Sequence, residues 1–355
     1  MSRENQNEKL QSISDDDLNH HDHHSYSLEE VHRSIEVPKK ASFWRTLLAF
    51  TGPGLLVAVG YMDPGNWATD LAGGSQFGYK LLFVIMISNL MAIVLQMLSL
   101  RLGVVTGRDL AQACRDSFNK PFSIFLWVLA EVAISATDLA EVVGSAVAIQ
   151  LLFGLPLIIG VFITALDVFL VLFLNTKGFH YIETIVGSLI GVITLSFVTE
   201  LIFARPEWSG VLNGLIIPHK EIVTNPTMLY IAIGILGATV MPHNLYLHSS
   251  IIQTRKFDLT SDGKREAIRY GTIDSTVSLM GALFVNAAIL ILAGATFHNT
   301  GHQDVAEIQD AYKTILTYCE QFPISFSREN MDKIRPQDAA FRFWHARFGY
   351  DPIWG

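Results

Sequence analysis

The sequence predicts an all-α integral membrane protein of about seven transmembrane helices, with the first and sixth broken. Three observations carry this expectation. The 355-residue chain is 50% hydrophobic and only 16% charged, where a soluble protein carries about 25% charge, and its mean hydropathy is +0.35. Its apolar residues fall in long runs parted by short polar loops. Two of those runs are interrupted, by Asp63-Pro64-Gly65-Asn66 and by Met241-Pro242-His243-Asn244.

The chain divides into three segments. Residues 1–45 hold scattered apolar residues and no sustained run, and are expected to form a disordered cytoplasmic tail. About half of the net charge of −8 lies in the first forty residues, which include the cluster His20-His21-Asp22-His23-His24. Such a tract either binds divalent metals loosely or is a solvated polar run. Residues 46–297 are the transmembrane core, and residues 298–355 an extramembrane loop followed by a divergent tail without an apolar run long enough to span. No basic patch points to nucleic acid, and Cys114 and Cys319 make neither a disulfide framework nor a zinc cluster. The N-terminus lacks the basic start and apolar core of a signal peptide.

The spans are expected at roughly 46–72, 81–103, 122–150, 157–174, 182–203, 228–253 and 272–296. Breakers such as Gly154-Leu155-Pro156 and Gly210 fall between them. Basic residues collect on one side of this topology, among them Lys39, Lys40, Arg45, Arg101, Arg108, Arg115, Lys120, Lys177, Arg255, Lys256, Lys264 and Arg269. Setting aside the divergent tail after residue 320, the other side has only Lys80, Arg205, Lys220 and Lys313. The asymmetry places the N-terminus in the cytoplasm.

Asp-Pro-Gly-Asn ordinarily makes a surface turn. Inside an apolar span its broken backbone survives only where it is buried in protein or lines a cavity. The sixth span repeats the anomaly five spans later, so the two units are inverted relative to each other. Paired broken helices point to the central site of a transporter. A second unit of equal length would need three more spans after residue 296, so the second repeat is incomplete.

Four groups can meet where the breaks converge: the Asp63 carboxylate, the Asn66 carbonyl oxygen, a freed backbone carbonyl near Ala238, and the Met241 thioether. Oxygens alone suit Ca2+, Mg2+ or Mn2+ equally, whereas a thioether favours Mn2+, Fe2+ and similar ions. The plain reading of Met241 is an apolar filler. His243 and His248 are five residues apart and do not share a helix face, which argues against a two-histidine metal site. His243 fits a proton route or a hydrogen-bonded packing role. In the third span Glu131, Asp138 and Glu141 lie on one side of a helix, and three acids there cannot all face lipid. They suit proton transfer, with Arg255 as a candidate partner, or else structural ion pairs or snorkelling acids. No His-Glu-x-x-His or Gly-x-Ser-x-Gly pattern suggests an enzyme.

Asp63-Pro-Gly-Asn66 with Ala238-Thr-Val-Met241-Pro-His243-Asn resembles the Nramp family of proton-coupled divalent metal transporters. Thr137-Asp138-Leu-Ala-Glu141 and Asn299-Thr-Gly-His-Gln-Asp304 are similar to further signatures of that family. The resemblance runs from about Trp44 to Ala311. It implies a LeuT-like inverted-repeat fold that imports Mn2+ and Fe2+ with H+ by alternating access across a bacterial plasma membrane. It implies metal ligands Asp63, Asn66, the Ala238 carbonyl and Met241, and a proton pathway of His243, Glu131, Asp138, Glu141 and Arg255. Divalent metal ions, protons and the lipid bilayer are then the partners, and no cofactor is implied. The missing last spans make a C-terminal truncation the expected departure. The competing readings are a Na+-coupled symporter of a small organic solute, and an inactive truncated transporter or metal-binding membrane protein.

Overall fold

The computed structural model describes residue 28 and residues 31–38, 42–175 and 179–298. The His/Asp cluster at 20–24, the signature at 299–304 and the divergent tail lie outside the described residues. Within them the chain is mostly helical. In chain order the elements begin with strand β1 (Ile35–Glu36) and helices α1 (Phe43–Phe50), α2 (Pro53–Gly60), α3 (Pro64–Phe77), α4 (Leu82–Thr106) and α5 (Leu110–Ser117). Helices α6 (Lys120–Phe153), α7 (Leu157–Asn175), α8 (Phe179–Ala204), α9 (Trp208–Ile216) and α10 (Glu221–Thr224) follow. The chain continues through α11 (Pro226–Thr239), α12 (Pro242–Ile251), strand β2 (Arg255–Lys256) and α13 (Ser261–Thr296).

Local sequence sets most of these boundaries. Asp109, Asn119, Asn225 and Thr260 each accept a backbone N–H of the helix they precede, satisfying donors that a helix start leaves open. Pro follows at the start of α2, α3, α6, α11 and α12, where its missing N–H costs nothing. Among the described residues five segments are each long and apolar enough to cross a membrane, and a sixth is the pair α1/α2 bent by 47°. The one expected span outside this tally is that at 157–174, where α7 runs from Leu157 to Asn175 and is apolar over nearly its whole length.

Both expected breaks are present. Span one stops at Gly60 and restarts at Pro64, with Asp63 extended at φ −78° and ψ 163°. Span six stops at Thr239 and restarts at Pro242, with Met241 extended at φ −88° and ψ 119°. Each proline also orphans the carbonyl four residues before it, since that carbonyl has no N–H to accept. The orphans are Gly60 and Ala238.

Helix α13 is the central post. It packs along α2, α3 and α4, while α11 lies against α3 and α4. Lipid tails are as apolar as leucine, so small residues that admit close backbone contact drive such packing more than burial does. At Gly74 a Cβ would lie 2.7 Å from the Ala293 Cβ and would also strike the Leu290 carbonyl. Gly74→Ala is therefore expected to destabilise the bundle by about 1–3 kcal/mol, read as a lower thermal midpoint of the detergent-purified protein.

The expectation of a structureless segment up to residue 45 needs one correction. Ile35 and Glu36 pair in parallel with Arg255 and Lys256. Arg33 adds a backbone bond to the Gln253 carbonyl at 3.0 Å and a guanidinium bond to the Phe257 carbonyl at 2.8 Å. Composition suggested solvated chain, but the open edge of the segment after α12 offers it a partner.

Candidate metal centre

The two breaks meet. Asp63 caps α3 by accepting the Asn66 backbone N–H at 2.8 Å, and the same Oδ1 accepts Asn66 Nδ2 at 2.6 Å. That amide also donates to the orphan Ala238 carbonyl at 3.0 Å, while Asn66 Oδ1 accepts the Thr239 hydroxyl at 3.2 Å. Asp63, Asn66 and Ala238 thus converge on one point, although Asn66 and Ala238 stand 172 residues apart in the chain. Asp63 is 8% exposed and Asn66 fully buried.

Met241 joins them through Asn244. The Asn244 amide donates to Met241 Sδ at 3.6 Å, and the same side chain lies against Gly60, where a Cβ would clash with it. The thioether is buried, so it presents a soft donor inside the protein at the level of the first break.

His243 follows Pro242 and is half-buried. Its buried Nδ1 has no hydrogen-bond partner, and the charges that act on its ring are those of Asp63 and Asp138. It therefore stands between the break and α6. That helix crosses the break at Gly144, where a Cβ would meet Pro64. Asp138 and Glu141 lie within two turns of that crossing, and Glu131 is a further seven residues along from Asp138, about 10 Å at helical rise. All three acids are on exposed surface of α6.

Arg255 is not their partner. Its guanidinium is 1% exposed and pairs at 2.8 Å with Glu183 of α8, itself 6% exposed. It also donates to the Thr51 carbonyl at 2.9 Å. It thus braces the bend between α1 and α2. Gly52 sits at that bend with φ 140°, which only glycine adopts without strain. A Cβ there would run into both Glu183 and Arg255. Asp274 of α13 completes the brace by accepting the Gly54 N–H at 2.7 Å. Sequence reasoning missed Glu183 and Asp274, neither of which stands in a motif or a cluster of acids.

It also missed a buried polar chain beside the first break. Gln96 Nε2 donates to the Tyr61 hydroxyl at 3.0 Å, and Gln96 Oε1 contacts His248 Nδ1 at 2.9 Å. Asn286 donates to the Tyr61 carbonyl at 2.9 Å. His248 is fully buried and tied to Gln96, consistent with its exclusion as a partner of His243 in one metal site. Among the described residues no group of three or more His, Cys, Asp or Glu side chains is placed to hold a metal. The converging donor set is instead mixed, with one carboxylate, one amide, one peptide carbonyl and one thioether.

The profile of the Nramp family, described as natural resistance-associated macrophage protein-like, matches residues 54–322. The chain belongs to the Nramp family. Among its relatives is the "Divalent metal cation transporter MntH" of Nostoc sp., 64% identical over 289 residues, covering 81% of this chain and 65% of that protein. The transporter of the same name from Listeria innocua is 63% identical, with 81% of this chain and 64% of that protein covered. Crystal structures of the Eremococcus coleocola manganese transporter, one with a bound bis-isothiourea compound, superpose with a TM-score of 0.77 at 42% identity. They cover 91% of this chain and 66% of the other. The chain thus spans about two thirds of the length of the Nramp proteins it matches. It is a multi-pass membrane protein of a transporter family.

Proposed function

We propose that this chain carries the cation-binding core of a proton-coupled importer of Mn2+ and Fe2+, acting by alternating access in a bacterial plasma membrane with its N-terminus in the cytoplasm. The observation that supports this best is the Asn66 amide, which donates to Asp63 Oδ1 and the Ala238 carbonyl together. Both oxygens face one point, and a cation there replaces the NH2 group. Rotating the Asn66 amide turns Oδ1 inward as a third oxygen, and Met241 supplies the sulfur. One thioether among oxygens favours Mn2+ and Fe2+ over Ca2+ and Mg2+. The names of the Nostoc and Listeria relatives, divalent metal cation transporters, support the same substrate class.

Coupling follows from the ligand chemistry. A carboxylate binds metal only after losing its proton, so metal arrival at Asp63 releases one. His243 lies between Asp63 and Asp138, which gives the route toward Asp138, Glu141 and Glu131. Arg255, paired with Glu183, braces the α1/α2 bend. The fold reading is LeuT-like, with spans one and six as inverted counterparts and the second repeat incomplete within this chain. No cofactor is needed.

The test is Mn2+ uptake into proteoliposomes driven by an inward proton gradient. Uptake that needs Na+ and ignores the proton gradient would favour the symporter of organic solutes. Met241→Ala should narrow the preference for Mn2+ over Ca2+ about tenfold, the effect of one soft ligand, with maximal rate changed less. Competition uptake with both ions measures it, and an unchanged preference would remove the thioether from the site.

A further inference from the structure

Building on the alternating access proposed for this chain, we infer that the N-terminal strap Arg33–Val37 is a release clamp. Docked, it keeps closed the end of the bundle that the proposed topology turns to the cytoplasm, and it lifts before a bound ion leaves there. Ser34-Ile35-Glu36-Val37 alternates polar and apolar side chains, with Ser34 and Glu36 exposed and Ile35 and Val37 half-buried, as in a strand laid on a surface. Its attachments straddle Arg255. The Arg33 N–H donates to the Gln253 carbonyl at 3.0 Å, Ile35 and Glu36 pair with Arg255 and Lys256, and the Arg33 guanidinium donates to the Phe257 carbonyl at 2.8 Å. That guanidinium also lies 5.8 Å from the centre of the Phe257 ring, within reach of a cation–π attraction. The strap thus fixes the Arg255 backbone from both sides.

The side chain of the same residue holds the bend of span one, donating to the Thr51 carbonyl at 2.9 Å and pairing with Glu183 at 2.8 Å. The other contacts of α1 lie at this end too. Phe50 stacks on Tyr270 of α13 with ring centroids 5.8 Å apart, and the Phe43 ring lies 5.5 Å from the same tyrosine. Phe50 and Tyr270 share an apolar cluster with Leu100 of α4 and Ile252 just after α12, and Val37 packs against it. One cluster therefore draws together spans one, two, six and seven, with the strap seated on it.

Opening this end means swinging α1 about Gly52, which parts Phe50 from Tyr270 and Thr51 from Arg255. While the strap is docked, Arg255 stays where its guanidinium reaches Thr51. The clamp is also built to let go. Its ion pair, Lys256 with Glu36 at 3.1 Å, is 54% and 83% exposed, and such surface pairs add little. A segment held by a few partly exposed bonds opens locally while the bundle stays folded.

The test locks the strap in place. Glu36 and Lys256 are register partners, and neighbouring strands stand about 4.8 Å apart, within the Cα separation that a disulfide spans. The full chain carrying Glu36→Cys and Lys256→Cys, with Cys114→Ser and Cys319→Ser, is oxidised in proteoliposomes and assayed for Mn2+ uptake. Oxidation is expected to lower uptake at least about tenfold, because a covalent clamp removes the local opening, and dithiothreitol to restore it. Equal uptake by the oxidised and reduced forms overturns the clamp while the transporter reading stands. No uptake by the unmodified chain sinks the transporter reading by itself. Where the reduced form gives no uptake, hydrogen exchange of the Phe43–Phe50 amides decides the clamp. Oxidation should slow that exchange about fivefold, and Arg33→Ala should speed it by a similar factor. Equal exchange in the oxidised, reduced and Arg33→Ala proteins overturns the proposal.

Discussion

Asp63→Ala is expected to lower Mn2+ uptake about a hundredfold or more, to the leak of empty vesicles. Loss of an outer-sphere partner alone costs about 10–100-fold at metal sites, and Asp63 is the one charged donor where the breaks meet. The substitution also removes the acceptor of the Asn66 backbone N–H and so uncaps α3, at about 1 kcal/mol. Asp63→Asn separates the two effects. Its side-chain oxygen keeps the cap but lacks the charge, so it should fold like wild type and still fail to transport. If Asp63→Asn transports at the wild-type rate, the carboxylate neither holds the metal nor exchanges its proton.

The largest effect on stability is expected at Arg255. Arg255→Ala strips the guanidinium from the buried Glu183 carboxylate and frees the Thr51 carbonyl at the α1/α2 bend. Breaking a buried pair from one side costs about 3–5 kcal/mol, so the thermal midpoint should fall by many degrees. Replacing both members with apolar residues, as in Arg255→Met with Glu183→Leu, leaves no stranded charge and should recover most of the loss. A thermal melt of the three proteins in one detergent checks this. If Arg255→Ala melts like wild type, the pair does not brace the bend. A proton-route role for Arg255 instead predicts normal melting with uncoupled transport.

The breaks were legible because proline acts locally. Pro64 and Pro242 end one helix segment and start another, and the apolar runs around them show that this happens inside a span. The orphan Ala238 carbonyl can also be found by counting back four from Pro242. Periodicity showed that Glu131, Asp138 and Glu141 share one side of α6, but not which neighbour faces them. The place of Arg255 at the inner end of span six makes it a candidate partner for those acids in the sequence. Its true partner, Glu183, is 72 residues away, and only the crossing of α8 with the bend brings them together. The chain from Arg33 to Glu36 read as solvated because its strand partner lies more than two hundred residues later.

The central claim is that one divalent cation is gripped between the two broken helices. Anomalous diffraction at the manganese edge, from crystals of the protein grown with Mn2+, tests it most directly. A peak bounded by the Asp63 carboxylate, the Asn66 side-chain oxygen, the Ala238 carbonyl and Met241 Sδ is expected. A peak elsewhere in the bundle, or none in protein that transports Mn2+, would contradict it.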